Sequence, residues 1–308
     1  MNKTILITGA TGFLGSHICN KFLRNGYNII ILKRSFSNTW RINGILDKII
    51  KYDVDKVGIE QAFKENKVDI VIHTATKYGR KNESFLEIFD SNVSFSLKLL
   101  DISIRYNTDT FINTDTFINT GTILYEYLNY YSLTKKQFVE WLKILSDKSK
   151  IFNLKLEHLY GEMDDNTKFI TMLILDLLRG AKSIKLTPGN QERDFIYVDD
   201  VVNAYLDIIL KKDNFKYGFY EYQVGSGTAI KIKDVVLLLK KMTNNEITEL
   251  KFGDLPYRKN EIMHSKADIL KIREEIGWSP KFSLEEGLSK TFDWYRNKIN
   301  QKIIGDIE

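Results

Sequence analysis

Strand-like and helix-like runs alternate along the first half of the chain, beginning with the apolar run Thr4–Thr8, which leads directly into a glycine-rich loop. The other strand-like runs in this half are 28–32, 49–52, 69–74 and 111–113, and a helical pattern fills 93–106. Strands that alternate with helices form parallel βαβ units with right-handed crossovers. The sequence therefore predicts an α/β fold with a doubly wound parallel sheet of the Rossmann type, whose ligand binds at the carboxyl ends of the strands.

After about residue 163 the alternation becomes less regular, which predicts a smaller, interleaved C-terminal α/β lobe for substrate binding. A helix is predicted over 168–178 and a short strand over 182–186, whereas the apolar runs 195–198 and 220–224 are predicted to rejoin the first sheet. The predicted division is a dinucleotide-binding domain of 1–163 with 194–228, and a substrate lobe of 164–193 with 229–308.

The loop after the first strand has the spacing GxxGxxG, with glycines at Gly9, Gly12 and Gly15, and it opens a helix. Glycine allows a tight turn and a close approach of the backbone to a pyrophosphate, while the unpaired N–H groups and the dipole at the helix start favour negative charge. The alternative interpretation is a plain tight turn. The surrounding βαβ pattern favours a dinucleotide site.

Two cations end the second strand, where a site for NAD usually has a carboxylate that bonds the adenosine ribose. Here Lys33 and Arg34 occupy this place. Cations attract a ribose 2′-phosphate, which a carboxylate would repel. The pair therefore favours NADPH over NADH, the alternative being an ordinary solvated turn.

Charge and composition exclude several other classes of ligand. The chain has 308 residues and a net charge of +5, from 45 basic and 40 acidic residues that are interspersed and form no basic stripe of the kind nucleic-acid binders show. No apolar run is long enough to cross a membrane and no signal peptide is evident, which predicts a cytoplasmic protein. One cysteine and four scattered histidines predict neither an intramolecular disulfide nor a metal site.

Tyr131 and Lys135 are four residues apart, a spacing that places both side chains on one face of a helix. A free phenol, with a pKa of about 10, is a poor acid or base near neutral pH, and a nearby ammonium favours its phenolate. This pair is therefore a candidate proton donor with its electrostatic partner. As an isolated motif it also occurs on many ordinary helices.

Together with the glycine loop, the Tyr131–Lys135 pair resembles the extended short-chain dehydrogenase/reductase family, also described as NAD-dependent epimerases and dehydratases. The resemblance runs through nearly the whole chain. The further matching segments, in order, are 73–75 (HTA), 92–93 (NV), 158–161 (HLYG), 193–200 (RDFIYVDD), 222–227 (YQVGSG) and 277–280 (GWSP).

The resemblance implies a set of cofactor contacts. The phosphates are expected on the glycine loop, the adenine and its ribose at the ends of the following strands, and the nicotinamide ribose on Lys135. The expected cofactor-binding residues are Gly9, Thr11, Gly12, Phe13, Leu14, Gly15, Lys33, Arg34, Asp53, Val54, Thr74, Ala75, Thr76, Asn92, Lys135 and His158.

The resemblance also implies a catalytic hydroxyl just after the fifth strand, where a hexapeptide is repeated in tandem as 108–113 and 114–119. Counting from Asn92 makes Thr116 the expected catalytic hydroxyl and Thr114 the second choice. Tyr131 is the expected acid. Dehydratases of the family carry Asp-Glu directly after this hydroxyl, and neither register supplies that pair, which disfavours dehydration.

Within the family, the resemblance is greatest to sugar-nucleotide 4-ketoreductases. It implies NADPH-dependent reduction of the 4-keto group of a CDP- or dTDP-linked 4-keto-6-deoxy or 3,6-dideoxy hexose, for surface polysaccharide, by a homodimer. Lys77, Thr116, Tyr131, Arg193 and Arg258 are the expected substrate contacts, although either arginine is alternatively a surface ion-pair partner.

Two other functions remain open at the level of sequence. A nucleotide-sugar 4-epimerase would use the same Tyr131 and Lys135 while retaining NAD, and a non-catalytic NADP(H)-binding protein would keep the fold alone. The chain also departs from the family pattern at two positions: Glu162 replaces the proline that usually follows Tyr160-Gly161, and Lys155 replaces an arginine.

Overall fold

A computed structural model describes residues 3–80, 82–108 and 115–301, and it contains a seven-stranded sheet. In chain order the strands of this sheet are β1 (Thr4–Thr8), β2 (Asn28–Lys33), β3 (Ile50–Asp53), β4 (Ile70–His73), β5 (Thr116–Thr122), β6 (Lys150–Leu156) and β10 (Gly218–Val224). Their spatial order is β10-β6-β5-β4-β1-β2-β3, and the five pairings from β6 to β3 are parallel. The predicted doubly wound α/β fold is confirmed.

Apolar side chains on the strands pack against helices to form the core of this sheet. Leu6, Ile30, Val71, Phe117 and Ile151 come from five neighbouring strands and are all buried. Branched and aromatic side chains suit a strand that is covered by helices. The helices that follow the strands are α1 (Phe13–Arg24), α2 (Val54–Val57), α3 (Glu60–Glu65), α4 (Phe85–Phe89), α5 (Phe95–Thr108), α6 (Tyr130–Ile144) and α8 (Val198–Lys211).

The chain divides into two compact units that interleave, one formed by residues 1–156 and 204–223, and the other by 157–203 and 224–308. The second unit has a three-stranded sheet and a two-stranded sheet. Its strands are β7 (His158–Tyr160), β8 (Ser183–Leu186), β9 (Glu192–Tyr197), β11 (Ala229–Lys231) and β12 (Glu249–Phe252). The second unit also contains the helices α7 (Phe169–Leu178), α9 (Ile232–Met242), α10 (Leu270–Ile276) and α11 (Leu284–Asn300).

Interleaving was predicted, but the division differs from the predicted one in its bounds. β10 joins the first sheet as predicted, whereas β9 pairs with β7 and β11 in the second unit. The prediction that residues 195–198 rejoin the first sheet is therefore wrong. An apolar strand sequence indicates burial and does not identify its pairing partner.

The fifth strand was also predicted at the wrong place. Residues 111–113 lie outside the described residues, and β5 begins at Thr116. Thr116 pairs with Ile70 and Lys150, the first residues of their strands, and Thr122 pairs with Leu156 at the other end. β5 therefore starts five residues later than predicted.

Of the helices in the described part of the chain, none has the length and apolar character that a membrane span needs.

A buried carboxylate, Asp194 on β9, organises the loops of the second unit. It accepts hydrogen bonds from the backbone N–H of Ser226 (2.7 Å), Gly227 (2.9 Å) and Ala267 (3.1 Å), and from the Ser226 hydroxyl (2.7 Å). A Cβ on Gly225 would lie 2.6 Å from a carboxylate oxygen of Asp194, so this approach requires glycine. The 225–227 turn and residue 267 are thus attached to β9 through one side chain.

We expect Asp194→Asn to destabilise the protein by about 2–4 kcal/mol, because an amide has one acceptor oxygen and would place its NH₂ against backbone donors. Urea denaturation measures the loss. The control is Asp199→Asn, an exposed carboxylate on α8, which should change stability little. Equal effects of the two substitutions would contradict the organising role of Asp194.

Candidate active site

The glycine loop packs directly against the chain that follows β4. Gly9 has a φ of +72°, and a Cβ there would lie 2.5 Å from the Thr74 hydroxyl and 2.6 Å from the Ala75 backbone nitrogen. The Thr74 hydroxyl donates to the carbonyl of Thr8 at 2.7 Å. The loop is therefore held at the carboxyl ends of β1 and β4, where the sequence predicted a ligand.

The same loop leaves the N-terminus of α1 open to a ligand. Gly12 precedes the helix and provides no side-chain cap, and a Cβ on Gly15 would lie 2.2 Å from the Gly9 carbonyl oxygen. The first turn of α1 therefore keeps unpaired N–H groups and a positive dipole end against a loop without side chains. This donor set fits the pyrophosphate of a dinucleotide.

The two cations predicted to bind a 2′-phosphate are in different environments. The ammonium of Lys33 forms an ion pair with Asp53 at 2.5 Å, whereas Arg34 is exposed, with its guanidinium 4.7 Å from the centre of the Phe36 ring. The neighbouring Ser35 donates from its N–H and hydroxyl to Asp55, at 2.7 and 2.6 Å. Lys33 thus neutralises the carboxylate at the end of β3, and Arg34 is the cation presented at the surface.

The side chain of Asn92 connects the loop after β4 to α6, the helix that carries Tyr131. Its side-chain oxygen accepts from the Lys77 N–H (2.8 Å) and the Thr76 hydroxyl (3.2 Å). Its amide nitrogen donates to the Lys77 carbonyl (2.9 Å) and the Thr134 hydroxyl (3.0 Å). All four hydrogen-bonding positions of the amide are then used by the protein. Asn92 therefore holds residues 76–77 against α6, and its predicted contact with a cofactor stays a prediction.

A short π-helix at Asp90–Ser94 carries Asn92 into this position, between α4 and α5. Such local widening of a helix is common near functional sites. Lys77, a predicted substrate contact, is fixed at its backbone by Asn92, and its ammonium lies 3.5 Å from Glu87.

Tyr131 and Lys135 lie on the first turns of α6, as predicted. The helix begins with a capping box, in which the Asn129 side chain accepts from the Ser132 N–H at 2.9 Å. Tyr131 is half-buried, and Lys135 is only 3% exposed. Burial lowers the pKa of Lys135 from 10.5 to about 8. The ammonium therefore lies in a poorly hydrated place, where its field acts strongly on nearby groups.

The hydroxyl beside Tyr131 belongs to Thr122, the last residue of β5. Burial raises the pKa of Tyr131 well above its usual range, and hydrogen bonding with the Thr122 side chain acts in the opposite direction. Thr116, the predicted catalytic hydroxyl, lies at the opposite end of β5 and donates to Asp115 at 2.7 Å. Six residues of strand span roughly 20 Å. The prediction of Thr116 at the site is therefore wrong, and Thr114 lies outside the described residues.

The predicted hydroxyl, Thr116, and the one beside Tyr131, Thr122, are six residues apart, which is the length of one repeat. Residues 120–122, Thr-Gly-Thr, follow the second hexapeptide and occupy the place that Thr114-Asp115-Thr116 occupies after the first. The sequence feature that could have identified Thr122 is this truncated third copy, which is the closest of the three to Tyr131 along the chain.

Polar side chains cross the sheet in one row beneath α6. Thr8 bonds His73 at 2.7 Å, Asn119 donates to Asn153 at 2.7 Å, and Asn153 donates to Glu221 at 2.7 Å. His73 is fully buried, and burial together with the charge of Lys135 lowers its pKa well below the usual range. The imidazole is therefore neutral and adds no second charge beside Lys135.

Both predicted substrate arginines belong to the second unit. Arg193 is buried on β9, bonds Glu261 through its guanidinium and donates to the Glu192 carbonyl at 2.7 Å. Burial lowers the pKa of Arg193, the carboxylates of Glu261 and Glu157 oppose this, and the charge of Arg258 adds to it. The two arginines are therefore near each other, with Glu261 beside Arg193.

Two other residues singled out from the sequence lie in this unit. His158, a predicted cofactor contact, lies on β7 with its Nδ1 3.1 Å from Glu157. Glu162, which replaces the family proline, accepts from the Tyr197 hydroxyl at 2.7 and 2.8 Å through its two oxygens. The departure at residue 162 therefore introduces a carboxylate that is bonded within its own unit.

The model of the NAD dependent epimerase/dehydratase family matches residues 5–225 of the chain. The chain is 36% identical to a CDP-abequose synthase from Salmonella muenchen over 293 residues, covering 94% of this chain and 97% of the relative. It is 33% identical to a CDP-abequose synthase from Salmonella typhimurium, with the same coverages.

Solved structures show the same fold. The UDP-glucose 4-epimerase of Thermotoga maritima, solved with UDP-glucose, has a TM-score of 0.82 and 26% identity, and the match covers 96% of this chain and 99% of that one. The UDP-glucose 4-epimerase of Thermus thermophilus, solved with NAD, has a TM-score of 0.79 and 22% identity, with 95% and 99% covered. Sequence and fold agree that this chain belongs to the NAD-dependent epimerase/dehydratase family of sugar-nucleotide enzymes.

Proposed function

We propose that the protein reduces the 4-keto group of a CDP- or dTDP-linked 4-keto-6-deoxy or 3,6-dideoxy hexose with NADPH, in deoxysugar biosynthesis for surface polysaccharide. The observation that carries the proposal is the grouping of Thr122, Tyr131 and the buried Lys135 at the carboxyl end of the sheet that bears the glycine loop. The similarity to CDP-abequose synthases supports the choice of substrate class.

In this proposal NADPH supplies a hydride to the carbonyl carbon of the sugar. Tyr131 donates its phenolic proton to the carbonyl oxygen, and Thr122 hydrogen-bonds the same oxygen as negative charge develops. Lys135 stabilises the phenolate that remains on Tyr131. Arg193 and Arg258, in the second unit, are proposed to bind the diphosphate of the substrate, because a forked guanidinium matches phosphate oxygens.

The sequence after Thr122 argues against dehydration. Ile123 and Leu124 follow it, so the acid and base that water elimination needs are absent from this position in the corrected register as well. Dehydration is therefore disfavoured in either register.

A 4-epimerase that retains NAD is the second candidate. The ion pair of Lys33 with Asp53 favours it, since this leaves Arg34 as the main support for a 2′-phosphate. Relatives named as UDP-glucose 4-epimerases, including a putative one from Methanocaldococcus jannaschii at 27% identity, are consistent with the same alternative.

We expect NADPH absorbance to fall when the protein is incubated with NADPH and a panel of CDP-, dTDP- and GDP-linked 4-keto-6-deoxysugars, with the CDP or dTDP sugars preferred. Tyr131→Phe, which lacks the proton donor, should show no turnover while binding NADPH with nearly unchanged affinity. If NADPH is not oxidised and a 4-hydroxy sugar is interconverted without added cofactor, the proposal is wrong and the reaction is epimerisation.

We expect Thr122→Val to lower kcat by about 10²-fold, because it removes one hydrogen bond to the developing oxyanion and preserves shape. Thr116→Val is the matched control at the other end of the same strand and should leave kcat close to that of the unsubstituted protein. Steady-state kinetics distinguish them. A larger loss for Thr116→Val would mean that the corrected register is not the functional one.

We expect Arg34→Asp to weaken NADPH binding by about tenfold or more while changing NADH affinity little, since a carboxylate would repel the 2′-phosphate. Fluorescence titration with each cofactor measures both affinities. Arg24→Asp, at the last turn of α1, makes the same charge change as a control. Equal losses of NADPH and NADH affinity would refute the assignment of NADPH to Arg34.

A further inference from the structure

The loop after β4 brings two side chains onto Tyr131. The ring of Tyr78 lies against the ring of Tyr131, with the ring centres 4.8 Å apart and the planes inclined by 36°. The guanidinium of Arg80 lies over the Tyr78 ring, 5.4 Å from its centre. We call this arrangement of Arg80, Tyr78 and Tyr131 the tyrosine stack. It places a second positive charge near Tyr131, in addition to Lys135.

The backbone of this loop is built to form the stack. Gly79, between Tyr78 and Arg80, has a φ of +73°, which turns the chain so that residue 80 returns over residue 78. A Cβ on Gly79 would also lie 2.8 Å from the side chain of Ile88. On the other side, both backbone groups of Lys77 are held by Asn92. The stack therefore rests on a segment that is fixed at Lys77.

The two cations near Tyr131 are in contrasting environments. Lys135 is buried one helical turn along α6, whereas Arg80 is exposed at the loop. A guanidinium is weakly hydrated and stacks well on an aromatic face, so the Tyr78 ring is a suitable support for it. The other groups that act on Tyr131 are the Thr122 hydroxyl and the phenol of Tyr205 on α8.

We propose that Arg80, supported on Tyr78, is a positioning residue for proton transfer, whose charge favours the phenolate that Tyr131 becomes when it gives up its proton. This inference rests on the proposed function, in which Tyr131 is the acid. The electrostatics agree in sign: burial is the largest influence and raises the pKa of Tyr131, the phenol of Tyr78 raises it further, and the charge of Arg80 acts in the opposite direction. Tyr78 supports Arg80 and covers one side of the Tyr131 ring.

The proposal predicts a shift in pH dependence with a definite sign. Removing the charge of Arg80 raises the pKa of Tyr131. Ketoreduction needs the neutral phenol, so the pH at which kcat declines on the alkaline side should move upward in Arg80→Gln by about 0.5–1 unit. The reverse oxidation of a 4-hydroxy sugar needs the phenolate, so near neutral pH it should slow by about 3–10-fold, more than the forward reaction.

Arg105→Gln is the matched control, because it removes an equally exposed arginine from α5, where it pairs with Asp101 and Glu60. It should leave both pH profiles unchanged. Arg80→Lys keeps the charge and should therefore show little of the shift seen in Arg80→Gln. Unmoved profiles in Arg80→Gln, or the same movement in Arg105→Gln, would overturn the proposal.

A second measurement separates this inference from the proposed function. The phenolate absorbance is titrated in complexes with NADP⁺, once for the unsubstituted protein and once for Arg80→Gln. In each case the same titration of a protein that also carries Tyr131→Phe is subtracted, which leaves the absorbance of Tyr131. No sugar is needed, so the titration reports on Arg80 even if the 4-keto panel shows no turnover. A Tyr131 titration displaced upward in Arg80→Gln supports the proposal, and coincident titrations contradict it.

Discussion

Close packing of glycine backbone against the end of β4 is the constraint on which the cofactor half of the site depends. Gly9 leaves no room for a side chain beside Thr74 and Ala75, and Gly15 leaves none beside the Gly9 carbonyl. These contacts hold the start of α1 at the carboxyl end of the sheet. The segment that receives them continues to Lys77, where Asn92 holds it and also bonds Thr134 on α6. The phosphate loop and the tyrosine helix are thus connected by a few short contacts.

Local patterns were sufficient to predict most of this half from sequence. The glycine spacing, the apolar strands and the Tyr131–Lys135 spacing each depend on residues that are close along the chain, where periodicity and turn chemistry are informative. Lys33 shows the limit of such patterns. Its position at the end of β2 predicted a phosphate site, but its ion partner Asp53 comes from the next strand and is evident only once the strands are paired.

The other differences have similar physical causes. Residues 195–198 have the apolar sequence of a sheet strand, yet β9, to which they contribute, pairs within the second unit. Tertiary packing determines that pairing. The four hydrogen bonds of Asn92, to the loop after β4 and to α6, are tertiary contacts that its sequence motif does not show. Tyr78 and Arg80 carried no signal in the sequence. Their proximity to Tyr131 follows from the turn at Gly79.

The tandem hexapeptide, whose second copy extends into β5, determines how length variation affects the site. Six is an even number, so a displacement by one repeat keeps every side chain on the same face of the strand. Excision of residues 109–114 would join Thr108 to Asp115. The amino-acid sequence on both sides of the junction would be unchanged, because Thr108 is followed by an aspartate, Asp109, in the full chain as well. One copy of the hexapeptide can therefore be lost or gained in the gene while the amino-acid sequences of α5 and β5, including Thr122, stay the same.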